Sequence, residues 1–313
     1  MVWLLLPHPG TLALKIMSAK LCEIEEAREM RAPQADTASG CMRDFLGNRF
    51  VYVVISARAR GLSIGLNMNP DRLCNFNCVY CEVSREAPPA ERELDVCAMA
   101  AELEKTLMLI HSGQIRRLAG YGALSADLLR LRHVAFSGDG EPTLCAKFAE
   151  AVQEVVHVRA RRVLPFFKMV LITNGTGLDL DPVQEGLRYF TGEDEIWIKL
   201  DAGTQEYMDR INRSKIPLDS VMENAWLIGR KRPVIIQSLF PLLGGWEPLP
   251  EEIDEYIQRL QELKAGGAMI SLVQIYSATR PAAHPDCGHI PLQSLARICR
   301  RIKTETGLKA EVF

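Results

Sequence analysis

The stretch Cys74-Asn75-Phe76-Asn77-Cys78-Val79-Tyr80-Cys81 sets three cysteines at C-x3-C-x2-C spacing. Thiolates this close are a ready site for soft metals. On one tight loop they can hold three corners of a [4Fe–4S] cube, a cluster usually bound by four cysteines. The next cysteine is Cys97, so one iron would stay open to another ligand. Structural zinc wants four closed ligands, usually in two separated pairs, and no second C-x2-C pair exists. The odd total of nine cysteines, without a secretory leader, argues against disulfides. Cys97 and Cys145 fall in helical stretches, where buried free cysteine is the ordinary reading.

A second segment, Phe136-Ser137-Gly138-Asp139-Gly140-Glu141-Pro142-Thr143-Leu144, follows a run at 131–136 that is mostly apolar and reads as a buried strand. Gly138 and Gly140 permit backbone approaches that side chains would block. Glu141 then offers a carboxylate at the strand's exit. Thr143 can open a helix over 143–157. Read alone, the segment is equally an ordinary βα turn.

Runs expected as strands, at 62–67, 133–136, 168–173, 195–200, 234–239 and 270–276, alternate with amphipathic stretches. Those lie at 91–111, 143–157, 181–189, 205–211 with 218–229, 251–264 and 292–304. The alternation predicts an α/β chain with a parallel sheet. Thr173 and Asn174 end the third run and offer hydrogen bonds suited to a ribose or carboxylate, or simple Asn–Gly turn chemistry. Lys199 and Asp201, two residues apart at the end of the fourth, point to one face. That face is either the interior or a surface edge.

At 313 residues and 48% hydrophobic content, the chain is long enough for one α/β barrel. The net charge of −2 gives no global sign of nucleic-acid binding. Basic runs at Arg159–Arg162, Arg230–Arg232 and Arg297–Lys303 read as solvated helix ends. The apolar start, residues 1–7, is too short to span a membrane and lacks a basic leader. A cytoplasmic protein is expected. Residues 1–50 are expected to be an N-terminal extension, poorly ordered or holding a short helix at 21–30, with a linker at 31–40. The barrel is expected over 51–313.

The cysteine run, the segment Gly61-Leu62-Ser63-Ile64-Gly65-Leu66-Asn67-Met68-Asn69-Pro70 before it and the Gly-Asp-Gly-Glu segment after it resemble the radical S-adenosylmethionine (SAM) superfamily. With Leu200-Asp201-Ala202, Asp209–Arg213 and Val273-Gln274-Ile275-Tyr276 through Arg280-Pro281, the chain resembles a subgroup of uncharacterised Fe–S oxidoreductases similar to tRNA wyosine-base synthases. The resemblance implies a partial (β/α)6 TIM-type barrel. It implies a [4Fe–4S] cluster on Cys74, Cys78 and Cys81, with SAM on the open iron. SAM would lie against Tyr80, Gly138, Asp139, Gly140, Glu141, Thr173 and Asn174. SAM is then cleaved reductively, and the resulting radical takes hydrogen from a substrate, a tRNA base being one candidate. An electron donor such as flavodoxin or ferredoxin is the implied partner. Lys199 and Asp201 are the candidates for substrate contact. The wyosine synthases carry further upstream cysteines for a second cluster. Only Cys22 and Cys41 precede Cys74 here, which departs from that pattern. An Fe–S electron carrier and a zinc-dependent nucleic-acid-binding module are the other classes open to these cysteines.

Overall fold

The computed structural model describes residues 45–83, 88–89, 91–161, 164–279 and 284–313. The expected helix at 21–30, the linker, Cys22, Cys41, Arg280 and Pro281 lie outside the described residues.

Strands β1 (Val51–Ser56) and β2 (Gly61–Asn67) form an antiparallel hairpin. Helix α1 (Val96–His111) follows, capped by Asp95, whose side chain accepts from the Ala98 N–H at 3.0 Å. Next come β3 (Leu131–Ser137), a 3-10 turn (Pro142–Leu144), α2 (Phe148–Ala160), β4 (Lys168–Thr173), α3 (Asp181–Leu187) and β5 (Glu195–Lys199). Then follow α4 (Gln205–Ile211), α5 (Leu218–Gly229), β6 (Val234–Leu239), β7 (Pro241–Leu243) and α6 (Pro250–Ala265). The chain ends with β8 (Ile270–Tyr276), β9 (Cys287–His289), α7 (Leu292–Thr306) and β10 (Ala310–Val312).

The main sheet runs β1-β2-β3-β4-β5-β6-β8-β10 and curls into a half-barrel. Every pair after β1–β2 is parallel. The six expected strands are thus the six central ones. β1 and β10 are additions at the two edges. β7 and β9 form a separate two-stranded ribbon.

The pleat sorts the side chains onto two faces. On one, Ile64, Leu66, Val134, Phe136, Met169, Leu171, Ile196, Ile198, Ile236, Val273 and Ile275 are buried in the main core with the apolar faces of the helices. On the other, residues in register form layers across the strands, as in closed α/β barrels. At the amino ends Lys168 pairs with Glu195 at 2.6 Å, and buried His133 meets Trp197 edge-on at 5.2 Å. The middle layer is an apolar plug of Ala135, Val170, Trp197 and Ile235. Above it, toward the carboxyl ends, stand Lys199, Gln237 and Gln274, in register across β5, β6 and β8.

Three local expectations change. The helix expected at 143–157 begins only at Phe148. Pro142 opens a 3-10 turn instead, and Cys145 falls in the break, half-buried. Cys97 lies on α1 but is exposed rather than buried. The packed unit reaches back before residue 51. Phe45 and Phe50 are each 1% exposed, and Glu102 accepts from the N–H groups of Arg49, Phe50 and Val51 at 2.8–3.1 Å.

Candidate functional site

The loop between β2 and α1 carries Cys74, Cys78 and Cys81, all half-buried. Within the loop, the Arg72 N–H donates to the Asn69 carbonyl at 2.8 Å, the Leu73 N–H to Asp71 at 3.1 Å, the Phe76 N–H to Cys74 Sγ at 3.4 Å and the Cys81 N–H to the Cys78 carbonyl at 3.0 Å. The loop is also attached to the carboxyl ends of three strands.

The first attachment is to the segment after β3. The Glu141 N–H donates to the Leu73 carbonyl at 2.9 Å. A Cβ on Gly140 would lie 2.1 Å from that carbonyl oxygen and 2.6 Å from Cβ of Asn69. Gly138 sits at φ 127, with Asn67 where its Cβ would be. Asn67 in turn bonds Asp139 twice, through the backbone N–H at 3.0 Å and the carboxylate at 3.1 Å. Both glycines are required because the cysteine loop lies directly on this backbone. Beside it the Asn69 side chain is 2% exposed and its Oδ1 has no hydrogen-bond partner among the described residues.

Glu141 is 3% exposed and its carboxylate is fully engaged. One oxygen accepts from the Thr143 N–H at 3.0 Å, the Thr143 hydroxyl at 2.6 Å and the Thr173 hydroxyl; the other accepts from the Asn174 N–H at 2.7 Å. Burial pushes its pKa up, against the pull of these donors. The carboxylate therefore clasps the end of β4 to the segment after β3. What faces the cysteine loop is the backbone of residues 138–141.

The second attachment is to the end of β4. The Asn174 side chain donates to the Asn75 amide oxygen at 2.8 Å, and the Asn75 amide donates to the Thr176 hydroxyl at 2.8 Å. The third is to the region after β5. The N–H groups of Asn77 and Val79 donate to the carbonyls of Asn212 and Ile211 at 2.9 and 2.8 Å. The Asn212 amide reaches Cys78 Sγ at 3.4 Å and the Tyr80 hydroxyl at 2.8 Å. Tyr80, buried, donates a short hydrogen bond to Asp201.

Asp201 is 3% exposed and also accepts from Asn212 at 3.1 Å and from the Leu239 N–H at 2.8 Å. Lys199 Nζ lies 3.5 Å from its Oδ2, 4.8 Å from the Tyr80 ring centre and 3.4 Å from the Tyr276 hydroxyl. Both residues therefore face the cysteine loop from inside the sheet. Burial alone would lower the Lys199 pKa, but Asp201, Tyr276 and Cys78 more than offset it, and the amine is held as ammonium. The Cys78 thiol is pushed up to about 11 by burial, with Asp201 raising it further and Lys199 pulling it down. A soft metal would displace its proton.

The candidate site residues lie on the cysteine loop, at the ends of β4 and β5, or on the segments after β3, β4 and β5 that are hydrogen-bonded to the loop. Two contributors were not singled out. Asn212 joins Cys78, Tyr80 and Asp201. Asn75 lies inside the quoted run, between the first two cysteines. Asn212 lies in Asp209–Arg213, and nothing in its immediate sequence marks it as a hydrogen-bonding hub. Among the described residues, no group of His, Cys, Asp or Glu is arranged to hold a single metal ion. A cubane makes a different demand, one thiolate on each of three irons. Three thiols on a braced loop, beside bare glycine backbone and an amide oxygen without a partner among the described residues, fit that demand. No helix among the described residues is long and apolar enough to cross a membrane.

No family model matches the chain. A UPF0026 protein of Synechocystis is 24% identical over 234 residues, which are 74% of this chain and 76% of that one. One of Helicobacter pylori is 27% identical over 164 residues, so the match spans 52% of this chain and less than half, 46%, of that relative. Among solved structures, TYW1 with a lysine–pyruvate adduct bound superposes with a TM-score of 0.52 at 16% identity, over 93% of this chain and 90% of that one. Streptococcus suis SuiB bound to S-adenosylmethionine gives 0.54 at 13% identity, over 95% and 60%. The chain shares its fold with both.

Proposed function

We propose that the protein is a radical SAM enzyme: Cys74, Cys78 and Cys81 hold one [4Fe–4S] cluster, and SAM binds at its open iron. One observation carries the reading. The cysteine loop is hydrogen-bonded to the segments that follow β3, β4 and β5, so the residues expected to hold cluster, SAM and substrate meet at one end of the sheet. An electron carrier needs no such convergence, and no charged pair beside its cluster.

When bound, the cluster and SAM supply the one-electron cleavage that ends in hydrogen abstraction from a substrate. The protein's own residues position and exclude. The backbone of Gly138–Glu141 and the Asn69 amide oxygen receive the amino acid end of SAM. Asp139, Thr173 and Asn174 line the same edge. Tyr80, fixed by Asp201 and Asn212, holds the last cysteine in place. Lys199 offers an ammonium toward the substrate. TYW1 holds a lysine–pyruvate adduct. For Lys199 to bond a carbonyl carbon in the same way, it would first have to release the proton that Asp201 stabilises. We therefore assign it the binding of a carboxylate or carbonyl oxygen. A tRNA base remains the candidate substrate, a flavodoxin or ferredoxin the electron donor, and the cytoplasm the compartment.

The test is anaerobic purification followed by reduction in the presence of SAM. Methionine and 5′-deoxyadenosine should form in equal amounts. Cys78→Ala should form neither and should hold less iron than the intact cluster. A Cys78→Ala protein that keeps a full cluster and cleaves SAM would sink the proposal.

A further inference from the structure

The turn of the β1–β2 hairpin, residues 57–60, comes back against the far side of the half-barrel. Arg60 pairs with Glu311 at the edge of β10, at 2.5 Å, and its guanidinium lies 5.9 Å from the Phe313 ring centre. Arg58, half-buried, instead places its guanidinium 4.3 Å from the centre of the Tyr276 ring. Tyr276 stands at the end of β8, and its hydroxyl is the oxygen that Lys199 Nζ approaches at 3.4 Å. Arg58 and Lys199 thus flank one tyrosine, near enough for the charge of Arg58 to oppose that of Lys199.

The charges here do not balance. Lys199 has Asp201. Lys168, lower on the same face, has Glu195. Arg58 makes no ion pair with a carboxylate among the described residues; its guanidinium lies over the Tyr276 ring, and its charge acts on Lys199 and on buried His133. A guanidinium stacked on an aromatic ring has its planar fork of donors free for a carboxylate or phosphate. Gln237 and Gln274, in register with Lys199 and joined to each other at 2.8 Å, form the neutral wall beside it. The apolar plug closes the face below.

We propose that Arg58, Tyr276 and Lys199 form an oxyanion subsite inside the half-barrel, which holds the carboxylate or phosphate of an anionic substrate facing the cysteine loop. This rests on reading that face as the substrate chamber. Arg58 supplies a bidentate contact, Lys199 a point charge, and the Tyr276 hydroxyl a donor between them. Arg60, already paired with Glu311, takes no part.

The test is calorimetric titration of the full-length, anaerobically purified protein with sodium pyruvate and, separately, with inorganic phosphate. Acetone serves as the neutral analogue of pyruvate. One of the two anions should bind and acetone should not. The tighter anion identifies the substrate's group as carboxylate or phosphate. Arg58→Gln should weaken that binding by about tenfold or more, the loss expected for a charge-assisted contact. Arg58→Lys should recover part of it, and Arg60→Gln should bind as the wild type does. Binding unchanged in Arg58→Gln, equal losses in Arg58→Gln and Arg60→Gln, or no binding of either anion overturns the subsite. None of these readouts depends on SAM cleavage. Failure of wild-type protein to cleave SAM would overturn the proposed function instead.

Discussion

Lys199 and Asp201, two residues apart around the end of β5, meet at 3.5 Å, with Asp201 almost wholly buried. Strand neighbours at period two share a face but need not touch. Here they meet because the Leu239 N–H holds one oxygen of the Asp201 carboxylate and the other lies beside the ammonium. The aspartate thereby serves the lysine, Tyr80 and Asn212 together.

Removing Asp201 should therefore be costly. Asp201→Ala leaves a buried ammonium, a tyrosine hydroxyl and a backbone N–H without their acceptor. Breaking one side of a buried pair typically costs about 3–5 kcal/mol. Lys199→Met added to Asp201→Ala should restore part of the loss, since the stranded charge is gone. Urea unfolding of both variants checks this. A double variant as unstable as the sum of the singles would show that the two residues are not coupled.

Gly140→Ala should act on the cysteine loop and not on the barrel. The new Cβ meets the Leu73 carbonyl oxygen at 2.1 Å, and that backbone has to move. Iron bound per chain should fall well below the wild-type value while far-UV circular dichroism stays the same. Gly192→Ala, where a Cβ meets nothing within 4 Å, is the control. Full iron loading of Gly140→Ala would show that the loop has slack that its contacts do not suggest.

Glu141→Ala removes the acceptor for four hydrogen bonds, two from Thr143 and two from the end of β4. Unsatisfied buried donors cost about 1–3 kcal/mol each. A lower melting temperature is expected, together with SAM affinity about ten- to a hundredfold weaker. The second effect should arise through displacement of the backbone beside the loop. Unchanged stability with weakened SAM binding would mean that the carboxylate touches SAM directly.

His133 makes stability depend on pH. It is buried, and burial first, then the charges of Lys168 and Arg58, holds its pKa down at about 3. In the unfolded chain a histidine titrates near 6.5. Between those values the unfolded state binds the extra proton, so stability falls as pH drops below about 6.5 and is unaffected by this group above it. At pH 5 the loss should be about 2 kcal/mol. Melting temperatures of wild type and His133→Gln, measured from pH 7.5 to 5, should converge as the pH falls. Parallel curves would refute the assignment.

The six central strands were legible because each is an apolar run with a clear end. β4, β6 and β8 appear at their expected bounds. β1 and β10 were not. Val51–Ser56 lies against β2 as a hairpin partner, and Ala310–Val312 is three residues whose pairing with β8 only the folded sheet supplies. Residues 45–50 join the barrel through Glu102, a partner over fifty positions away. The cysteines and the glycine-rich segment were legible from residue type and spacing. The clasp that Glu141 makes between two strand ends was not, because a carboxylate beside a ligand loop and one clasping two strand ends look alike in sequence. Arg58 had no local signal either. Its importance comes from the curl of the sheet, which brings a hairpin turn to Tyr276.

The cysteine loop borrows its shape from Glu141, Asn174, Ile211 and Asn212, and through Asp201 from Leu239. These partners lie some sixty to one hundred and sixty positions downstream. On a ribosome, the three thiols emerge long before the residues that brace them. A nascent chain therefore has the ligands but not the cradle, and the loop takes its final form only after β6 is in place. Iron and sulfide delivered earlier would meet three loose thiols on an unfinished chain. Under the proposed function, cluster insertion is expected to follow the synthesis of β6.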